Sequence, residues 1–345
     1  YLIDCGTVAS QQMGRRPSEL RVNGTENLVA VISWRRARLD IALITADNKI
    51  AFRDQIPLTE EEDKVDKITS TFFNIMKPKV GDRRIMGLCI IIPGIIDAEN
   101  KRILSTVIGV GYSDPVVQRF EEAFHDYPFC LLNDTACFAY AEYVFANITE
   151  PNFAYINVSK GVGACLFANG KMLRGAGSNA TQFGHFSVDR NGPLCACGNH
   201  GCVERVVGEN ALTERAEACG IDLTRFAGRK PLYCDIGAMA EDGDAHAKEL
   251  IKDLAVDLSF AISNLITLFN PSLVVIGGMG VNLGPFFLSN IRDEVQNSGF
   301  KEFVSNTWIQ YSTLGLDSEL GGAARYYIDH YYDFFEQMQG GLYAD

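Results

Sequence analysis

Apolar residues recur along the chain in two rhythms. "LVAVIS" (28–33) and "ARLDIALIT" (37–45) flank a short basic turn, and the second alternates, so both read as β-strands. "TEEEDKVDKITSTFFNIMK" places Val65, Ile68, Phe72, Phe73 and Met76 on one helical face behind an acidic first turn. "RIMGLCIIIPG" (84–94) is nearly continuous in apolar residues, as expected of a strand covered on both faces. "DPVVQRFEEAF" predicts a helix, "FCLL" a strand, and "DTACFAYAEYVFA" another helix.

The second half repeats the alternation. "FAYINVS" and "GACLFANG" predict a hairpin, and a long loop follows it. "DAHAKELIKDLAVDLSFAISNLITLF" (244–269) predicts a long helix that stops at "NPS", and "LVVIGG" a buried strand. "PFFLSNIRDEVQN" and "SELGGAARYYIDHYYDFFEQM" read as the last helices. The pattern predicts an α/β protein of two α/β halves with a cleft between them. Residues 1–23 differ: two short extended pieces surround a polar turn with Arg15, Arg16 and Arg21, and no core of their own is visible.

Composition narrows the class. The 345 residues are 47% hydrophobic and 21% charged, which suits a globular protein with a sizeable core. A formal net charge of −12 argues against this body tracking a nucleic-acid backbone by itself. The longest apolar run is broken by Pro93 and Gly94, so no membrane span is expected, and "YLIDCGTVAS" has neither the basic nor the apolar region of a signal peptide. Ten cysteines are too sparse for a disulfide scaffold, and a cytoplasmic location is expected.

Three cysteines cluster as Cys195-x-Cys197-x4-Cys202 within "GHFSVDRNGPLCACGNHGC". Such spacing suits Zn²⁺, which takes four N or S ligands in a tetrahedron. Four protein ligands leave no open position for water, so the expected role is structural. His185 and His200 are the candidate fourth ligands. His185 is preferred, because His200 is tied into the loop between the cysteines. The competing reading is three unpaired buried cysteines.

"CACGNHGCVE" (195–204) also carries the C-x-C-G-x-x-G-C-x-E signature of the ROK family of bacterial sugar-responsive repressors and sugar kinases, and the chain resembles that family. "IIIPGIID", "LLNDTACFAYAE", "GVGACLFANGKMLRGAG", "GHFSVD" and "NPSLVVIGG" extend the resemblance in the family's order from about Leu28 onward. It implies an actin-like, hexokinase-like fold: a first lobe of residues 24–134 plus 318–345, and a second of 135–317 holding the zinc loop 185–202. It implies zinc on His185, Cys195, Cys197 and Cys202. It implies a sugar pocket of Asn133, Asp134, His185 and Glu204, with Gln182 standing where the family has glutamate. Taken singly, "ND" after a strand reads as a helix cap.

The resemblance also separates kinase from sensor. Family kinases carry a D-x-G-G-T phosphate turn, where this chain aligns as "SWRRA", with Ser33 for the Asp and Arg35 and Arg36 for two glycines. "SKGVG" (159–163) keeps half of the second turn, and Gly277, Gly278 and Gly280 of "IGGMG" persist near the expected adenine site. ATP and Mg²⁺ are therefore not expected as cofactors. In a kinase, Asp134 would be the general base. "GRRPSELRVN" is similar to the linker after the winged helix-turn-helix of ROK repressors. The expectation is the effector-binding and oligomerisation body of a sugar-sensing regulator, a homodimer or dimer of dimers. Residues 1–23 would be a wing and linker remnant, and DNA would be contacted by a module upstream of Tyr1.

Overall fold

A computed structural model of the protein describes residues 2–7, 18–97, 100–106, 115–175 and 180–332. It divides into two compact units, Tyr1–Val144 with Asp317–Asp345, and Phe145–Leu316.

In the first unit, β1 (Leu2–Thr7) and β2 (Ser18–Val22) pair as an antiparallel ribbon, with Leu2 opposite Val22 and Thr7 opposite Ser18. These are the two extended pieces expected at the start of the chain. The basic residues Arg15 and Arg16, and Gly14–Pro17 of the linker-like motif, lie outside the described residues. A five-stranded sheet follows, built from β3 (Asn27–Trp34), β4 (Arg38–Thr45), β5 (Ile50–Pro57), β6 (Arg84–Ile92) and, further along the chain, Phe129–Asn133. Its spatial order is β5-β4-β3-β6 and then Phe129–Asn133. Strand β4 runs antiparallel to both of its neighbours, β5 and β3, and the rest run parallel to β3. All eight residues of β3 are buried, as the apolar run demands, whereas β5 is mostly exposed at the sheet edge.

Helix α1 (Lys64–Thr71) starts where Asp63 accepts the Asp66 N–H at 3.0 Å. The segment that reads as one amphipathic helix then widens into a π-turn over Phe72–Met76 and tightens over Lys77–Lys79. Pro78 lies just beyond the wide turn; its missing N–H and its ring are incompatible with a regular ladder. Phe72 is fully buried, with its ring edge-on to Phe124 at 5.4 Å and to Tyr127 at 5.0 Å. The short ribbon β7 (Gly94–Asp97) and β8 (Arg102–Thr106), helix α2 (Val116–Ala123), strand β9 (Phe129–Asn133) and helix α3 (Asp134–Phe145) complete this stretch.

The second unit repeats the plan. Its strands β10 (Phe153–Val158), β11 (Val162–Ala168), β12 (Lys171–Met172), β13 (Leu273–Gly277) and β14 (Trp308–Tyr311) have the order β12-β11-β10-β13-β14. This is the connectivity of the first sheet, strand for strand. Helices α4 (Val203–Val207), α5 (Glu209–Ala218), α6 (Tyr233–Glu241), α7 (Ala245–Phe269), α8 (Gly284–Gln296) and α9 (Lys301–Val304) pack around it. Asp244 caps α7 by accepting the Ala247 N–H, and Asn270 ends it in the left-handed region ahead of Pro271. No described helix is long and apolar enough to cross a membrane.

The last described helix, α10 (Ser318–His330), belongs to the first unit. The rest of the helix expected over 318–338 lies, beyond Tyr332, outside the described residues. Gly322 allows α10 to touch α3, since a Cβ there would lie 2.0 Å from the Cys137 carbonyl oxygen. Tyr140 of α3 donates to Asp329 at 2.6 Å. These contacts place α3 in the first unit, whereas the sequence reading drew the lobe boundary at residue 134, ahead of that helix.

Candidate functional site

The loop after β12 folds onto the sheet through Gly184, where a Cβ would lie 1.8 Å from the Val162 carbonyl oxygen. His185 ends the 3-10 turn Phe183–His185 beside it. Backbone bonds then close the loop: Val188 N–H to Gly201, Val203 N–H to Phe186, and Cys195 N–H to Asn199. Gly198 and Gly201 take φ of 89° and 58°, a region that side chains disfavour, so the turns need glycine.

Those bonds gather His185, Cys195, Cys197 and Cys202 so that their ligand atoms all lie within 4.8 Å of one another. Cys195 Sγ is 3.6 Å from His185 Nδ1, and Cys197 Sγ is 3.6 Å from Cys202 Sγ. A tetrahedron with metal–sulfur bonds of about 2.3 Å has edges of roughly 3.7 Å, so the donor set and its spacing fit a bound metal. His200 is not part of the cluster; its Nδ1 donates to the Gly192 carbonyl at 3.0 Å. Because Nδ1 of His185 faces the sulfurs, its Nε2 is the nitrogen left for another partner. Gly184→Ala is expected to push His185 away from the sulfurs and weaken metal retention roughly ten- to hundredfold in a chelator competition.

Glu204 stands in the first turn of α4, two residues after Cys202. Its Oε2 accepts the Val162 N–H at 3.3 Å, and a Cβ on Gly161 would lie 2.5 Å from the same oxygen. The "SKGVG" turn is thus packed directly on Glu204, with one backbone donor already committed. Ser159 Oγ accepts the Met279 N–H at 3.1 Å, which joins this turn to the glycines after β13. Gln182 immediately precedes the His185 turn. An apolar cavity of about 380 Å³ borders Gln182, His185 and Phe186, with Leu265 and Leu268 of α7 opposite.

Asn133 and Asp134 belong to the first unit, at the junction of β9 and α3. Asn133 Oδ1 accepts the Ala136 N–H at 3.0 Å, and its Nδ2 donates to the Gly94 carbonyl at 2.6 Å. Asn133, rather than Asp134, is therefore the residue that caps α3. Asp134 Oδ1 accepts the Thr135 N–H at 2.8 Å. Burial raises the Asp134 carboxyl above its usual range, opposed by the charge of Arg35.

Arg35 does not project freely from the β3–β4 turn. Its guanidinium pairs with Glu319 in the first turn of α10 and lies 3.6 Å from Asp40. Burial works against its charge, but Glu319, Asp134 and Asp40 together hold it above the usual arginine range. Glu319 is 1% exposed, and burial pushes its carboxyl up to about 7 despite Arg35. Arg36, next in the chain, is exposed. Sequence reasoning did not single out Glu319; its one signal is an acidic residue immediately before the largely apolar stretch "LGGAARYYI".

A ROK family profile matches residues 33–329. The xylose repressor of Bacillus subtilis (strain 168) is 26% identical over 250 residues, which are 72% of this chain and 62% of that protein. The chain thus spans under two thirds of that relative's length. A ROK family transcriptional regulator, a homolog of the E. coli MLC protein, superposes with a TM-score of 0.79 at 24% identity, over 90% of this chain and 80% of that one. A ROK family glucokinase from Streptomyces griseus, solved with glucose and AMPPNP, gives 0.71 at 22% identity, over 86% and 98%. Both likenesses are of the actin-like, hexokinase-like fold.

Proposed function

The chain belongs to the ROK family, and from that premise we propose that it is the effector-binding body of a sugar-responsive transcriptional regulator. The observation that carries this reading over a kinase is the engagement of Arg35 with Glu319 and Asp40. At the end of the first long strand, a kinase of the family has glycines whose backbone closes on phosphate. Here a guanidinium fills that stretch of chain and is already neutralised by carboxylates of its own unit. The repressor named among the relatives supports the same reading.

The proposed sugar contacts are Asn133 and Asp134 in the first unit and Gln182, His185 and Glu204 in the second. Carboxylates accept from hydroxyls, and the Gln182 amide can both accept and donate, so sugar preference departs from that of relatives with glutamate there. The metal held by His185, Cys195, Cys197 and Cys202 is Zn²⁺, in a structural role, since the four ligands leave no position for substrate. In the full protein, sugar binding would shift the population between two arrangements of a dimer and so change DNA binding by a module preceding this body. The protein would act in the cytoplasm.

The test is thermal unfolding against hexoses, N-acetylhexosamines, pentoses and their phosphates, each with and without ATP and Mg²⁺. A ligand at a hundred times its Kd stabilises the folded state by about 2.7 kcal/mol. The expected result is a shift with one sugar that ATP does not deepen. Phosphate transfer abolished by Asp134→Asn would establish the kinase reading instead, for which the likeness to a glucokinase is the supporting observation. In the sensor, Asp134→Asn is expected to weaken the responding sugar at least about tenfold in calorimetry, because a carboxylate acceptor is lost.

A further inference from the structure

The outer face of α7 changes character along its length. Inward, Leu250, Leu254, Leu258, Ile262 and Ile266 are buried in the core of the second unit. Outward, the first half shows Lys248, Glu249, Lys252 and Asp253 to solvent, as a surface helix should. Beyond Asp257, however, no charged residue occurs until Arg292. The exposed positions of the second half are apolar instead: Phe260 is 53% exposed and Leu268 81%, and Val256 is exposed one turn before Phe260. Val256, Phe260, Asn264 and Leu268 recur at every fourth residue and so form one ridge along the helix.

The apolar cavity of about 380 Å³ opens beside this ridge, between α7 and the segment that carries Gln182 and His185. Ala261 and Leu265 of α7 line it, and Asn264 and Leu268 join it to the ridge. The Asn264 amide, half-buried between two exposed apolar side chains, has no hydrogen-bond partner among the described residues. Fully burying a Phe or Leu side chain is worth about 1.5–3 kcal/mol, so the ridge leaves a substantial gain unrealised in water. Uncharged, apolar and continuous with a cavity, it has the composition of an interface core. Trp308, also exposed in this unit, differs: the Arg292 guanidinium lies over its ring at 4.8 Å, and its indole N–H donates to Gln310 at 3.1 Å.

Charge and symmetry select what covers the ridge. The chain carries a formal net charge of −12, so two copies repel one another in most orientations, and least where a face without charge meets itself. The ridge also holds both halves of a self-match. Phe260 protrudes, and the cavity recedes one turn further along. A two-fold axis passing at Asn264 therefore sets each Phe260 against Leu268 and the cavity mouth of the other copy. An asparagine amide both donates and accepts, so two of them facing across the axis satisfy each other. Ridges of this i, i+4 kind pack on one another at a crossing angle of about −50°.

We propose that the ridge Phe260–Asn264–Leu268, with the cavity beside it, is the docking surface for a second copy of this chain, and that the two Asn264 amides pair on the two-fold axis. A polar residue at the centre of an apolar helix contact fixes its register at some cost in affinity. The proposal gives the dimer of the regulator reading a surface, and it rests on that reading only for its consequence. Gln182 and His185, two of the proposed sugar contacts, line the same cavity, so a sugar that shifts them alters the wall against which the second copy sits.

The experiment is analytical ultracentrifugation of the chain over a concentration series, with circular dichroism to show that each variant is folded. The wild type is expected to be a dimer. Phe260→Glu should weaken association at least about a hundredfold, because a substitution in a symmetric contact acts twice. Trp308→Ala should leave association unchanged. Asn264→Asp sets two carboxylates on the axis and should weaken the dimer at least about tenfold at pH 7.5, with partial recovery at pH 5.5 as the pair takes up a proton. Asn264→Cys in a Cys234→Ser background should give a disulfide-linked dimer in air, since the bond needs the two Cα atoms within about 7 Å. Trp308→Cys in that background should not. A dimer that survives Phe260→Glu and is not linked through Asn264→Cys would overturn the surface and leave the regulator reading its dimer. A wild type that stays monomeric at every concentration would overturn both. Should Phe260→Glu fail to fold, Asn264→Asp and the cross-link decide. A silent sugar panel would sink the sensor reading and leave the docking surface standing.

Discussion

If the cluster holds the proposed zinc, Cys202→Ser is expected to release about one metal ion per chain and to open the loop between His185 and Cys202. Cys202 is fully buried, and its neighbouring backbone joins the loop to α4. Serine keeps the shape but offers a hydroxyl in place of a thiolate, and the remaining three donors cannot close a tetrahedron. Structural zinc contributes about 10–16 kcal/mol in isolated finger peptides. Here the second unit has an extensive apolar core of its own, formed by α7, β10 and β13, so the unit stays folded while the loop does not. The measurements are metal content by atomic absorption and amide exchange across residues 185–202. Chelation of the wild type should reproduce the variant, and Cys165→Ser, a buried cysteine outside the cluster, should leave both measurements unchanged. A Cys202→Ser protein that retains its full metal content would show that these residues are not the ligands.

The second large effect is a dependence of stability on pH centred on Glu319. Its carboxyl titrates at about 7 when folded, against 4.5 when exposed, with burial the main cause. The folded state therefore holds this proton more tightly than the unfolded state does. The contribution is fully present below about pH 4.5, declines as the pH rises, and is lost above pH 7. The difference corresponds to about 3 kcal/mol. Glu319→Gln keeps an oxygen acceptor for Arg35 but has no proton to lose, so its stability should change far less between pH 5 and 8. Trp34, 1% exposed in the first unit, is the reporter, read in a Trp308→Phe background because Trp308 is exposed in the second unit. Wild type and Glu319→Gln with parallel pH profiles would show that Glu319 does not carry the effect.

Both effects arise at sites whose legibility in the sequence was unequal. The metal cluster was readable because its cysteines lie within eight residues of one another, and local spacing is itself a geometric constraint on the ligands. The distant histidine was readable only as a choice between His185 and His200. What decided it is a close backbone approach, Gly184 against Val162, together with the Gly192 carbonyl that occupies His200. The Arg35 cluster shows the opposite case. Arg35 was conspicuous as a bulky residue where glycine was expected, but its partner Glu319 is 284 residues away. No local pattern marks such a pair.

The elements follow the same division. The buried strands β3, β6, β10 and β13 and the long helix α7 were visible, because a buried strand is a continuous apolar run and a long amphipathic helix repeats its face many times. The edge strand β5, "IAFRDQIP", was not read as a strand: exposed on most of its length, it carries no burial pattern, and its pairing with β4 makes it a strand. Strand β14 likewise owes its conformation to β13 beside it.

By itself, the sequence determined the α/β class, the strands that form the two cores, the cysteine cluster able to hold a metal and the family to which the chain belongs, since each is written in local spacing or in motifs. Only the tertiary structure decided which histidine joins the cysteines, that Asn133 rather than Asp134 caps α3, that α3 belongs with α10, and that Arg35 is matched by Glu319. These depend on burial and on contacts between segments far apart in the chain, and the free energy of a charge is set by what surrounds it.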